Sequence, residues 1–361
     1  MIPVAKPMMG PLEEQAVLDV IRSGKLAGGD KTAEFEVAWA DFQLQPYAVA
    51  VTSGTAALEV ALEALTVDSR DEVIVPALTF NATSSAVMSA GMKPVFVDVD
   101  PITYTMDPRG VRNAITKRTR AILPVHLYGL MADMDALDDI AESKGVAIIE
   151  DAAQAHDSWL DGMRPGDWTT SIAQCYSFYA TKNMTTGGEG GAVTTSDSPY
   201  AETLGLLREH GSIQKYSHIL PGHNLRMTEM QAAFGLVQLE SLPYWQAVRQ
   251  RNAELLTEQL RGWVITPNIP DGYKHSWHQY AIIVPNGDRD GLARYLWEVG
   301  VGSGVHYPLA DPLQPMYGYP KDSFPEAEYI SKNVLSLPVG PWVSEMDIQY
   351  IVARVQDWVA G

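Results

Sequence analysis

Val146-Ala-Ile-Ile-Glu150-Asp151-Ala-Ala-Gln154 and, further along, Ala173-Gln-Cys-Tyr-Ser177-Phe-Tyr-Ala-Thr-Lys182-Asn183 decide how this chain folds. Each is a short apolar run that gives way to polar and charged residues. Runs of this kind read as strands buried on both faces of a sheet. The first delivers Asp151 at its carboxyl end, and the second delivers Lys182 just beyond its end. In an open α/β sheet the carboxyl edge of the strands is where ligands bind.

Five further runs have the same character: Ala48-Val-Ala-Val51, Glu72-Val-Ile-Val75, Pro94-Val-Phe-Val97, Ala121-Ile-Leu-Pro-Val125 and Ala192-Val-Thr-Thr195. Helical patterns separate most of them, at 54–66, 82–91, 108–116 and 134–144. Two amphipathic helices, 11–24 and 32–44, come first, broken at Gly28-Gly29-Asp30. Strands alternating with helices predict an α/β fold with a mostly parallel seven-stranded sheet between helices. After residue 200 the pattern changes. Two long helices are predicted at 226–241 and 244–261, parted at Leu242-Pro243. A strand (Trp277 to Val284), a helix (289–299), a short strand (Val301 to Tyr307) and two helices (325–335 and 344–358) follow. With 361 residues the chain is long for one core. A large domain at 1–245 and a smaller C-terminal α/β domain at 246–361 are expected.

The formal charge is −18. That argues against nucleic acid or an anionic membrane surface as partner, because both demand basic patches. An anionic ligand must then be met by a local cluster of donors; Lys25, Lys31, Arg208, Lys215 and Arg226 are candidates. The single cysteine, Cys175, makes no internal disulfide, and no His/Cys spacing suggests a metal. No signal segment and no apolar run of membrane-spanning length is read, so a cytoplasmic protein is expected.

A lysine and an aspartate at neighbouring strand ends meet the needs of pyridoxal phosphate (PLP) chemistry. The amine holds the aldehyde as a Schiff base, and the carboxylate keeps the pyridine nitrogen protonated. A charged pair, Glu150-Asp151, directly after an apolar run is not expected to belong to the core. Gln154 can donate to the cofactor's polar edge, whereas His156 serves packing or a helix start as readily as chemistry. Val51-Thr-Ser53-Gly54-Thr55 is a strand, a small-residue turn and a helix entry, which leaves backbone N–H groups free for a phosphate; an ordinary N-cap turn reads the same way. Ser177 can reach the same phosphate. Phe80 follows the next strand, where a flat ring can stack on a flat cofactor or simply pack in the core. Gly187, Gly188, Gly190 and Gly191 permit tight backbone turns around the lysine. Asn224 and Arg226 precede a long helix and are explained equally by a helix cap and a solvated charge.

Taken in order, these segments resemble the DegT/DnrJ/EryC1/StrS family of sugar aminotransferases, which are fold type I PLP-dependent enzymes. The resemblance includes Ser23-Gly24-Lys25, Ser53-Gly54-Thr55-Ala-Ala-Leu, Pro94-Val-Phe-Val-Asp98-Val-Asp100, Pro124-Val-His126-Leu-Tyr-Gly129, Asn224-Leu-Arg226-Met and Val305-His306-Tyr307-Pro308, besides the Asp151 and Lys182 segments. It implies that Lys182 forms the internal Schiff base and shuttles protons, Asp151 pairs with the pyridine nitrogen, Gln154 contacts the polar edge and Phe80 stacks on the ring. It implies that Gly54, Thr55 and Ser177 hold the phosphate. It also implies a homodimer with shared active sites, in which Asn224 of the neighbouring subunit reaches that phosphate. Two departures stand out. Members usually read Thr-Gly-Glu-Gly-Gly after the lysine, where this chain reads Thr186-Gly187-Gly188-Glu189-Gly190-Gly191. Many continue from His-Tyr-Pro to a second histidine, where this chain has Asp311-Pro312 in the region that usually lies near the sugar-binding mouth.

The resemblance implies an aminotransferase that moves an amino group from an amino acid, L-glutamate by family resemblance, to a nucleotide-linked keto-sugar. A cyclitol ketone is the alternative acceptor, and a catalytically silent PLP-binding regulator or scaffold is the alternative of another class. A cysteine desulfurase is disfavoured because Cys175 falls inside a predicted strand.

Overall fold

The computed structural model describes residues 1–65, 71–284 and 287–361. The large sheet is built from β1 (Tyr47–Val51), β2 (Glu72–Pro76), β3 (Lys93–Val97), β4 (Thr119–Ile122), β5 (Ala147–Asp151), β7 (Ser171–Ser177) and β8 (Gly191–Thr195); the two-residue β6 (Trp159–Leu160) lies outside it. The order is β1-β8-β7-β5-β4-β2-β3. β3, β2, β4, β5 and β7 pair in parallel, and β8 is antiparallel to both β7 and β1. All seven predicted runs enter this one sheet. β8 reverses because no helix separates it from β7, and a parallel return needs a crossover. The connection that reverses the chain carries Lys182.

Alternation along the strands sorts the two faces. Val73, Val75, Leu123, Ile149, Ala173 and Cys175 pack against α3 (Gly54–Glu63), α4 (Ala82–Ser89) and α7 (Ser198–Arg208). Ile74, Ile122 and Ile148 face the other way, toward α6 (Met134–Lys144) and α5 (Pro108–Ala114). Ala50, Tyr176 and Ala192 meet α2 (Asp30–Gln43) and the first half of α8 (Glu229–Leu260) in an aromatic cluster around Phe35 and Trp39. α1 (Pro11–Ser23) packs beside α8. Residue 66, expected to end the helix that α3 forms, lies outside the described residues.

Three expectations fail. No break occurs at Pro243: α8 runs unbroken through it for 32 residues. A proline inside a helix costs about 3 kcal/mol. Leu242 and Trp245 anchor this turn in the aromatic cluster, while Ala253, Leu256 and Leu260 anchor the far end in a second core. Packing at both ends outweighs the local preference. The short strand at 301–307 is absent. Val301 bridges Ile2 and Gly304 bridges Ser336, so the segment's partners belong to two separate stretches and no ladder forms. Residues 334 and 335, expected to end a helix, instead open a strand.

The second core is formed by the end of α8, β9 (Tyr280–Ile283) paired antiparallel with β10 (Val334–Leu337), α9 (Arg289–Glu298) and α11 (Glu345–Ala360). α10 (Pro325–Asn333) instead sends Ala327 and Ile330 into the core of the large sheet. Among the described residues no helix is long and apolar enough to cross a membrane.

Candidate active site

Asp151 ends β5 on the same side of the strand as Ile149, so its carboxylate faces α4. Thr83 Oγ1 donates to Asp151 Oδ2 at 2.7 Å, and the Ala153 N–H donates to Oδ1 at 3.1 Å. Thr79 Oγ1 lies 2.7 Å from Thr83 Oγ1. The Thr83 proton is committed to Asp151, so Thr79 is the donor in that pair. Burial raises the Asp151 pKa above the usual carboxylate range, against the pull of these hydrogen bonds and of the charge on Lys182.

Glu150 points to the opposite face and is fully buried. This corrects the expectation that the Glu150-Asp151 pair avoids the core. Glu150 survives there because its oxygens are all taken: His126 Nε2 lies at 2.7 Å, the Gly166 N–H at 2.8 Å, and Ser171 Oγ also donates. The Ala132 N–H donates to His126 Nδ1 at 3.1 Å, which places the ring proton on Nε2, toward Glu150.

Lys182 follows β7 by five residues (177 to 182) and is half-buried. Burial pushes the ammonium pKa down to about 8, with Asp151 pulling the other way. The next residue, Asn183, fixes this turn. Its Nδ2 donates to Ser276 O at 2.7 Å and Gln246 Oε1 at 3.1 Å, and its Oδ1 accepts from His278 Nδ1 at 3.1 Å. The glycine-rich stretch folds back on the lysine turn. Gly187, Gly188 and Gly190 all take positive φ, and Thr185 Oγ1 accepts from the Gly187 and Gly188 N–H groups. The additional glycine is absorbed in this return.

A cradle forms where α3 begins. Ser53 caps the helix, accepting from the Ala56 N–H at 3.1 Å, so Gly54 and Thr55 present its first turn. A Cβ on Gly54 would meet Ser177 Cβ at 2.6 Å. Glycine is therefore required for the helix start to close against β7. Ser177 O in turn accepts from His156 Nε2 at 2.8 Å. His156 sits in an aromatic nest with Trp39, Tyr176 and Phe178, and burial lowers its pKa to about 3. It is a neutral, structural histidine.

Gly54, Thr55, Phe80, Asp151, Gln154, Ser177 and Lys182 line one cleft of ≈ 500 Å³. Phe80 is 57 % exposed and rests on Tyr307, with ring centroids 5.7 Å apart. Gln154 Oε1 accepts from the Tyr128 N–H at 2.6 Å, and its Nε2 donates to Tyr307 Oη at 3.1 Å. Asn224 is exposed and lies outside this cleft. The basic candidates also lie outside it. Lys25, Lys31, Arg208 and Arg226 pair with Asp30, Glu34, Glu36 and Glu209, and Lys215 lies over the Tyr216 ring. Asp311 turns inward rather than toward the mouth: it is buried and accepts from Asn81 Nδ2 at 2.9 Å. A larger groove of ≈ 900 Å³, between α8 and residues 266–277, contains neither Lys182 nor Asp151.

Thr83, His278 and Gln279 line the cleft without having been singled out in the sequence, and Tyr307, from the His306-Tyr307-Pro308 stretch, lines it with them. Thr83 stands one helical turn after Thr79, a spacing that places both on one face. His278 and Gln279 arrive from the far side of α8, through tertiary contact alone.

The donor set fits PLP. An acid faces a half-buried lysine of lowered pKa across a cleft large enough for a flat ring, an exposed aromatic ring lines the wall, and a capped helix N-terminus supplies free N–H groups for a phosphate. The model of the DegT/DnrJ/EryC1/StrS aminotransferase family matches residues 7–356. The chain is 41% identical to the "Pleiotropic regulatory protein" of Geobacillus stearothermophilus, over 96% of this chain and 94% of the other. It is 40% identical to the dTDP-3-amino-3,4,6-trideoxy-alpha-D-glucose transaminase of Streptomyces venezuelae, over 96% and 91%. The crystal structure of S. venezuelae DesV in complex with a ketimine intermediate superposes with a TM-score of 0.93 at 39% identity, covering 97% of this chain and 94% of that one.

Proposed function

The chain belongs to the DegT/DnrJ/EryC1/StrS aminotransferase family and is a PLP-dependent aminotransferase of the fold type I class, and from that premise we propose that it moves an amino group from L-glutamate to a nucleotide-linked keto-sugar. The observation that carries this reading is the joint presence of Lys182, Asp151 and the Gly54–Thr55–Ser177 cradle in one cleft. Relatives named as dTDP- and UDP-sugar transaminases support the acceptor class.

Bound PLP supplies the electron sink for the carbanion formed at the substrate carbon. The chain's own residues do the rest. Asp151, held by Thr83 and Ala153, would keep a proton on the ring nitrogen, Phe80 would stack against the ring, and Gly54, Thr55 and Ser177 would hold the phosphate. Lys182 would bind the cofactor aldehyde, and its Nζ would take and return the proton during transfer. That task needs a neutral amine, and its lowered pKa favours one.

We further propose that the enzyme works in the cytoplasm as a homodimer, with Asn224 of the partner subunit closing the phosphate cradle. Exposed Ile213, Tyr216 and Ile219, close to Asn224 in sequence, are consistent with a covered surface there. Sedimentation and the PLP affinity of Asn224→Ala test this: a monomer, or unchanged affinity, removes it. Residues 1–245 and 246–361 are proposed as the large and small domains, with α8 continuous across the boundary. The reaction is tested by the visible absorbance of the purified protein before and after L-glutamate. A yellow band that shifts to the pyridoxamine form supports the first half-reaction, and nucleotide sugars and cyclitols are then screened as acceptors. A PLP band inert to every amino donor favours the silent regulator, a reading that the name of the G. stearothermophilus relative keeps in view.

A further inference from the structure

Arg249, on α8, is 2 % exposed, and among the described residues no carboxylate pairs with it. One Nη donates to Trp277 O at 2.9 Å, and the guanidinium lies 5.6 Å from the Trp342 ring centre. Its Nε meets no acceptor. A buried guanidinium without a counter-charge is costly, so an anion beside it is stabilising. Arg249 lines a cavity of ≈ 10 Å³, room for one water molecule or one monoatomic ion. Lys182 and Lys6 also line it, and no Asp or Glu does. This is unusual in a chain whose 44 carboxylates outnumber its 26 lysines and arginines. Glu13, which reaches the wall through Gln238, is already engaged: its Oε1 accepts from Gln238 Nε2 at 2.7 Å and its Oε2 from the Gly10 N–H at 2.8 Å. Lys182 is the residue shared between the wall of this cavity and the wall of the catalytic cleft.

We propose that this cavity binds one monovalent anion of the chloride class, held by the Arg249 guanidinium behind Lys182. A water molecule in the cavity leaves the buried guanidinium charge uncompensated, whereas a halide compensates it. A carboxylate-bearing ligand is too large for the space.

The test uses the PLP-loaded, full-length protein. It is melted in sodium chloride, sodium bromide and sodium gluconate at one ionic strength, and crystals grown in bromide are measured at the bromine absorption edge. The expected result is a saturable rise in Tm of about 2 °C in chloride and bromide over gluconate. That rise is lost in Arg249→Gln and partly kept in Arg249→Lys, and an anomalous peak lies between Arg249 and Lys182 at the bromide concentration that saturates the rise. A Tm indifferent to halide overturns the proposal, as does an equal rise in Arg249→Gln. So does a cavity whose occupant gives no anomalous signal. If Arg249→Gln does not fold, the wild-type crystals decide the matter alone.

Discussion

Thr83→Val removes one hydroxyl and keeps the shape of the side chain. The lost group donates to Asp151 Oδ2 at 2.7 Å inside a buried site, and it is itself fed by Thr79. A hydrogen bond to a charged group contributes about 1.5–3 kcal/mol. Removing it makes ionised Asp151 less favourable by that amount, on top of the burial that already raises its pKa. In the role proposed for it, the carboxylate would then hold the protonated ring nitrogen less firmly. The cost falls on the step that needs the electron sink, so kcat is expected to fall by about 10- to 100-fold. Thr83→Ser restores the donor and should recover most of the loss. The assay is the single-turnover half-reaction with L-glutamate, followed by absorbance, alongside PLP affinity by fluorescence titration. Wild-type rates in Thr83→Val, or equal losses in Thr83→Val and Thr83→Ser, would refute the reasoning, because a merely structural role does not distinguish the two by the hydroxyl.

Three other outcomes are expected. Gly54→Ala puts a Cβ 2.6 Å from Ser177 Cβ; overpacking of this kind costs about 1–3 kcal/mol, and PLP affinity should fall about tenfold or more in a titration of the apoprotein. The rate at which apoprotein incorporates PLP should rise with pH through about 8, because only the neutral Lys182 amine attacks the aldehyde; a stopped-flow profile with its midpoint near the ordinary lysine value would contradict this. Glu229 accepts from the N–H groups of Gly29, Lys31 and Thr32 and from Thr32 Oγ1, and these bonds lower its pKa although burial opposes them. Its contribution is therefore present above its unfolded pKa and lost as pH falls through the lowered folded value. Glu229→Gln should cost about 1–3 kcal/mol in urea unfolding at pH 7 and flatten the acid limb of the stability profile.

Asp151 and Lys182 were legible because each follows a run whose apolar character is continuous, and because strand ends on one edge of a parallel sheet converge. The same alternation that aims Asp151 at α4 sends Glu150 into the interior. Reading a pair of adjacent carboxylates as one charged unit misses that they face opposite sides of the sheet. Pro243 misleads for a related reason: local propensity is worth a few kcal/mol, and the buried side chains on either side of it decide the helix.

The chain's own order of apolar runs, turns and polar ends thus determined the seven strands, the sheet edge where the cleft lies, and the placing of the lysine, the aspartate and the Gly54 helix start along that cleft. These are local signals, written within a few residues of each position. Only the tertiary structure decided that Thr83 holds the carboxylate, that Gln154 is locked between Tyr128 and Tyr307, and that His278 and Gln279 reach the cleft from beyond α8. Those contacts join segments far apart in the sequence, and burial and hydrogen-bond partners exist only once the chain has closed.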